Sequence, residues 1–331
     1  MVKVVMIVGG LLAVAGSEAA AAVVRVPDDA PTIQAAVDRA NDGDIVRVAA
    51  GRWCGAAIDR EVTLVGARGA TIEGCASLTQ FGGLRVGFLL EDARASGTVI
   101  RGFRFDGAGI STSNTAPLAL AIIGRDAHGV VVAGNWIEGT VQAITNNGGD
   151  GWLVVGNVVH DLTIFGCLPG DARCGGGDGI VLEQRAAGAD RAAANVVLFN
   201  DVSGVVPDGL ALTGLAGIFV LGQDHPQVLW NRVSIPANPA ATADAVGIQV
   251  TDTCCGDGTA YLTTERAVIV GNDGRGSPIA VEIDRDATGG TGNSVGALVR
   301  YNLGVVMIDG AIASALRTAA RVIATEPRPF E

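Results

Sequence analysis

A short phrase recurs along this chain: two or three aliphatic residues, one or two spacers, then asparagine. It occurs as Val130-Val131-Val132-Ala133-Gly134-Asn135, Leu153-Val154-Val155-Gly156-Asn157 and Val196-Val197-Leu198-Phe199-Asn200. It returns as Val228-Leu229-Trp230-Asn231, Val268-Ile269-Val270-Gly271-Asn272 and Leu298-Val299-Arg300-Tyr301-Asn302. A second phrase, small-Ile-x-aliphatic, precedes most of these, as in Ala121-Ile122-Ile123, Gly179-Ile180-Val181-Leu182, Gly217-Ile218-Phe219-Val220 and Gly247-Ile248-Gln249-Val250. The shortest repeat, Asn135 to Asn157, is 22 residues. A unit this small cannot bury its apolar face alone and must stack on copies of itself. The pattern therefore predicts one elongated solenoid rather than two globular domains.

Composition agrees. The chain is 49% hydrophobic and 17% charged, with 48 Gly among 331 residues. An ordinary soluble chain is about 25% charged. Stacked layers of buried strands account for the difference. The formal net charge is -11, and the only lysine is Lys3. An acidic chain without basic runs does not suit nucleic acid, where affinity rests on Lys and Arg meeting phosphates. It would also repel polyanionic sugars unless a metal ion or local Arg cluster intervened.

Residues 1–22 read as a secretory signal: Lys3, an apolar stretch from Val4 to Ala15, and small residues near Ala22 for cleavage. No later run is apolar enough to span a membrane. A secreted, periplasmic or extracellular location follows as the expectation, and six Cys suit such an oxidising compartment. Six Cys allow 15 pairings; Cys54–Cys75 and Cys167–Cys174 are favoured, leaving Cys254 and Cys255 as chain neighbours. The remainder divides into one domain, 23–325, and a tail, 326–331.

Val23 to Val26 is a first strand. Ile33, Ala36, Val37 and Ala40 then fall at helical spacing behind Pro31. Ile45 to Val48, Val62 to Gly66 and Ala70 to Gly74 continue as strands. Residues 26–74, helix and strands together, resemble the N-terminal entry of the pectin-lyase-like right-handed parallel β-helix superfamily. The later Asn phrases resemble that superfamily's generic repeat. The resemblance implies an all-β right-handed parallel β-helix whose first coil is capped by a short amphipathic helix. It implies no single activity, since such folds include lyases, hydrolases, epimerases, esterases and non-enzymes. The paired-Asp and Gly-His-Gly pattern of polygalacturonases is absent, as are the Asp-Pro-His-Asp of mannuronan epimerases and the Trp-Ile-Asp-His of pectate lyases.

Within the repeat, Thr98 to Phe105 fits the Asn phrase with Phe103 where Asn would stand. Asn at a tight corner tolerates a left-handed backbone and can bond the Asn of the next coil. Ile122, Ile144, Ile180, Ile218, Ile248 and Ile279 are taken as one column, with loops inserted at 161–178, 183–194, 201–216 and 252–265. Ala311 to Ala324 carries Ile312, Leu316, Ala319 and Ile323 at helical spacing and reads as a C-terminal capping helix, a final strand being the alternative.

Aligning the Ile strands places polar residues just beyond them. The candidate catalytic residues are Asp150, Glu183, Arg185, Asp224, His225 and Asp252; Glu282 stands in the same polar row past Ile279. Carboxyls about 5–5.5 Å apart suit retaining glycoside hydrolysis, and about 6.5–9.5 Å inverting hydrolysis. An Arg beside a base suits lyase chemistry. Ca²⁺ is the cation an Asp/Glu cluster would take, and no other cofactor is indicated. A solvated row of turn residues is the plain alternative. Saccharide sites favour aromatic platforms, for which Trp136 and Trp152 are the candidates. The expected function is an exported β-helix that acts on or binds extracellular polysaccharide, or a non-catalytic scaffold.

Overall fold

The structure is a computed structural model. It describes residues 21–80, 84–107, 118–162, 177–184, 190–205, 215–237, 245–251, 262–283 and 296–308, and the backbone of two further strands, Ala311–Ser314 and Thr318–Arg321. The proposed signal lies almost wholly outside these residues, as do Cys167, Cys174, Cys254, Cys255 and the central parts of the four inserted loops.

The chain winds into a three-faced coil. One turn runs through Leu120–Arg125, Val131–Ala133 and Trp136–Glu138, and the next through Gln142–Asn147, Leu153–Val155 and Val158–Leu162. Apart from the final strand of each eleven-stranded sheet, each strand pairs in parallel with its counterpart one turn later, building sheets of eleven, seven and eleven strands. Parallel crossovers of this kind are right-handed because a right-twisted strand packs back only that way. The expected right-handed parallel β-helix is thus the fold.

Alternation along each strand sends every second side chain inward. On the first face, Val132, Val154, Val197, Val228, Ile269 and Val299 stand in register and are buried. On the second, the column is Ile72, Phe105, Ile137, Val159, Val202 and Val233. On the third it is Phe88, Ile122, Ile144, Ile180, Ile218, Ile248 and Val281. Each filled position contributes about 1.5–3 kcal/mol of burial before entropy is subtracted. The sequence places Ile279 in this last column. In the structure Ile279 pairs with Val246 instead and Val281 takes the expected place, a shift of two residues that keeps the inward face apolar.

The small residue of the second phrase has a steric cause. Gly179, Gly217 and Gly247 follow one another in the third sheet, where its inner surface meets the second. A Cβ on Gly217 would lie 2.3 Å from Val233 Cγ1 and 2.8 Å from the Gly247 carbonyl.

The ends differ from each other. Ile33–Arg39 forms the expected helix, with the Thr32 hydroxyl accepting the Ala35 N–H at 3.1 Å as its N-cap. Its buried Ile33, Ala36 and Val37 close the core over Val24, Val46 and Ile58. At the other end there is no helix over the described part of 311–324. Ala311–Ser314 and Thr318–Arg321 are strands, and they pair antiparallel with Val306–Ile308 and Leu298–Asn302. The last turn leaves open strand edges, and reversing the chain satisfies their backbone groups as the ladder did elsewhere. One helical stripe of apolar residues could not do this for two sheets.

The asparagines line the corner between the first and second faces. Asn135, Asn157, Asn200, Asn231, Asn272 and Asn302 are all buried. Each side-chain oxygen from Asn157 onward accepts from both the backbone N–H and the Nδ2 of the Asn one turn earlier, at 2.8–3.0 Å. Asn135 Oδ1 accepts the Phe103 N–H at 3.1 Å, so Phe103 does occupy the Asn position of its coil. The left-handed residue, however, is not the Asn. It is the one before it: Gly102, Gly134, Gly156, Phe199, Trp230, Gly271 and Tyr301 all have φ between 49 and 77. The Asn must keep its amide pointing along the axis, so the reversal falls on its neighbour.

Candidate functional site

The edge predicted to carry chemistry resolves into two columns. The first ends the third sheet: Arg125, Asn147, Glu183, Leu221 and Thr251 stand in register. Glu183 is buried there. The second lies on the following turn, where backbone bonds link His128, Asp150, Ala193, Asp224 and Glu265 one turn to the next. Asp150 and Asp224 share this column two turns apart, about 9.6 Å of rise at 4.8 Å per turn. His225 follows Asp224 at a left-handed backbone, φ 52. Arg185 and Asp252 lie outside the described residues. The register shift at Ile279 moves Glu282 back onto the sheet, where its Oε2 accepts from Gln249 Nε2 at 2.9 Å.

These carboxylates are engaged. Arg266 grips Asp224 with two nitrogens, Nε at 2.9 Å from Oδ1 and Nη2 on Oδ2. His225 Nδ1 lies 2.9 Å from Oδ1. Arg266 foremost, with burial opposing and His225 assisting, holds the Asp224 carboxyl below its ordinary range. Asp150 Oδ1 accepts the Ala193 N–H at 2.6 Å. The Asp150 N–H in turn lies 3.0 Å from His128 Nδ1, which is also 3.4 Å from Asp150 Oδ2. Arg191 pairs with Glu265 at 3.0 Å. A carboxylate fixed in its ionised form by Arg is a poor proton donor at neutral pH. Among the described residues no three His, Cys, Asp or Glu side chains converge to hold a metal ion.

A different surface carries exposed aromatic rings. Phe199, Trp230 and Tyr301 occupy the left-handed corner position and are 58%, 53% and 66% exposed. The Phe199 and Trp230 rings are nearly parallel, 19° between planes with centroids 5.6 Å apart. Trp230 lies over Gly271, where a Cβ would stand 2.3 Å from its Cδ1. Sequence reasoning missed these residues. The available signal was that large rings fill a spacer position which Gly fills in sister coils. Of the two tryptophans singled out, Trp136 is exposed on the second face, its indole N–H on Glu138 Oε2 at 2.9 Å and its ring 5.0 Å from that of His160. Trp152 is not a platform. It is fully buried, its indole N–H on the Ala127 carbonyl at 2.6 Å.

On the other side of Asn200, Asn231 and Asn272, the outward side chains are polar. Asp201, Arg232 and Asp273 follow one another along the axis. Arg275 binds Asp273 through Nε at 2.8 Å and Nη2 at 2.7 Å, and holds its carboxyl below the ordinary range. A cavity of about 310 Å³ opens here, lined by Arg232, Val233, Ser234, Asp273, Arg275 and Gly276.

No protein-family model matches the chain, and no curated protein matches it. Among solved structures it is similar to PfbA, a surface adhesin of Streptococcus pneumoniae, at 10% identity over 84% of each chain with a TM-score of 0.38. A likeness that distant bears on neither activity nor ligand. No helix among the described residues is long and apolar enough to cross a membrane. On its own strand registers, the chain is a right-handed parallel β-helix protein with a helix-capped first coil and an asparagine-laddered corner.

Proposed function

We propose that the protein is an exported β-helix that binds extracellular polysaccharide at its asparagine corner without turning it over. The observation that supports this reading is the Phe199–Trp230 pair. A bulky residue in the left-handed region costs about 1–2 kcal/mol relative to Gly, and the fold already uses Gly at the same corner of four other coils. Two large rings held outward and parallel there gain little for the core. They offer the flat apolar surface on which the C–H faces of a sugar ring rest. Affinity electrophoresis of the mature protein through gels containing neutral or acidic polysaccharides tests the reading. Retardation by at least one polymer, lost in Trp230→Ala, supports it; unchanged retardation in that variant overturns it.

Catalysis at the other edge is the second reading, through Asp150, Glu183, Arg185, Asp224, His225 and Asp252. The two-turn separation of Asp150 and Asp224 favours it, because about 9.6 Å of rise lies close to the spacing of inverting glycosidases. New reducing ends or unsaturated products that vanish in Glu183→Ala or Asp224→Ala would establish it. Ca²⁺ belongs to this second reading and is tested by adding a chelator to the same assay.

A further inference from the structure

We propose that the cavity beside Trp230 is a subsite for one uncharged pyranose unit of the bound glycan. This rests on the glycan-binding reading and goes beyond it by fixing the charge of the sugar and the side chains that read its hydroxyls.

The cavity is shaped by the ladder. Arg232 and Asp273 bridge successive turns, and the Val233 N–H donates to the Asp273 carbonyl at 2.8 Å. Its wall closes at Gly276, where a Cβ would stand 1.9 Å from Ser234 Oγ, so no side chain fits there. At about 310 Å³ it is at the small end of ligand sites, the scale of a single sugar rather than an extended chain.

Its charges cancel. Arg275 is locked two-pronged onto Asp273. Arg232 is 71% exposed, and among the described residues its carboxylate partner is Asp201 at 3.9 Å. Two guanidiniums and the Asp273 carboxylate thus line the cavity, with the Ser234 hydroxyl beside them and Asp201 one turn away. A planar Arg–Asp pair presents donors and acceptors side by side. A vicinal diol, which both donates and accepts, complements that pattern. An anionic sugar would gain Arg232 but face the Asp273 carboxylate, with Asp201 close by, on a chain of net charge -11.

Trp230 does not line the cavity but adjoins it along the chain. Trp230 and Arg232 are two residues apart, so their Cα atoms lie within about 7 Å. Asn231 between them points into the ladder. A pyranose has one apolar face and a polar rim. Trp230 supplies the first complement and the cavity the second.

The test uses the mature full chain on an array of neutral and acidic polysaccharides that includes dextran and dextran sulfate as a matched pair. The glycans bound are expected to be neutral, with binding little changed by salt. Asp273→Asn and Arg232→Gln are each expected to weaken the best ligand about tenfold, the 1.4 kcal/mol scale of one polar contact. The urea midpoint, read in parallel, is expected to hold in at least one of the two variants. A preference for dextran sulfate over dextran overturns the inference. So does affinity within about twofold of wild type in both variants while Trp230→Ala abolishes binding, and in that case the aromatic corner survives. Absence of binding to every glycan on the array removes both readings.

Discussion

Asn157 Oδ1 accepts two hydrogen bonds from Asn135, one from the backbone N–H and one from Nδ2, both at 3.0 Å. Asn157 Nδ2 donates to the Val132 carbonyl at 2.9 Å and to Asn200 Oδ1 at 3.0 Å. One side chain therefore joins three successive turns at a corner where β-ladder pairing is interrupted. Truncation in Asn157→Ala leaves the buried Asn135 N–H and the Val132 carbonyl without these partners. With about 1 kcal/mol per bond and a penalty for stranded groups, the expected loss is about 3 kcal/mol, read as a lower urea midpoint with little change in slope.

Phe199→Gly and Trp230→Gly should separate stability from binding. Both residues sit at left-handed φ, 54 and 49, and Gly relieves that strain. Gly also raises the entropy of the unfolded chain, so the two effects nearly offset and stability should hold within about 1 kcal/mol. Glycan retardation should be lost. A large drop in stability would instead make the rings part of the packing.

Gly217→Ala should be costly although Ala143 serves the same column two turns earlier. At Gly217 the added Cβ meets Val233 Cγ1 at 2.3 Å and the Gly247 carbonyl at 2.8 Å. Overpacking of this kind costs about 1–3 kcal/mol. Thermal denaturation of the variant beside wild type measures it.

These contacts show what the sequence makes legible. The aliphatic columns, the asparagine ladder and even Phe103 as its stand-in follow from the repeat, because each coil imposes one register on the next. The small residue of the Ile phrase is visible for the same reason. What fails is whatever depends on contacts across coils at the ends or on the outside. Ile279 looks like its column-mates Ile218 and Ile248, yet the chain enters that strand two residues early. The stripe around Ile312 has helical spacing, but the open strand edges beside it demand strands. The polar residues past the Ile strands appear as one row in an alignment. They fall into two columns because Glu183 ends a sheet while Asp224 lies on the turn after it. The aromatic corner was hidden by treating Phe199, Trp230 and Tyr301 as spacers.

The Cys54–Cys75 bond is present as expected, with Cα atoms 5.5 Å apart and a sequence separation of 21. It ties two successive coils together, where the strands Gly51–Cys54 and Ala70–Glu73 pair. Cys54→Ser should lower stability by about 3 kcal/mol on loop entropy alone. Reducing agent should destabilise wild type but not a Cys54→Ser/Cys75→Ser double variant at this site.

Acid should loosen the turn that carries Asp224. Arg266 first, and His225 after it, hold the Asp224 carboxyl below its ordinary value against the opposing pull of burial. A carboxyl depressed in the folded state contributes stability that is fully present above the unfolded value, near 3.9. That stability is lost as pH falls through the lower, folded value. The pair is partly exposed, with Arg266 52% and Asp224 24% accessible, so the contribution is modest and fades in salt. Urea midpoints measured from pH 7 down to about pH 2 should fall less steeply below pH 4 in Asp224→Asn than in wild type. The two curves should converge at the acid end, where wild-type Asp224 is protonated as well. Parallel curves throughout that range would mean that Arg266 does not hold Asp224 in solution as it does in the structure.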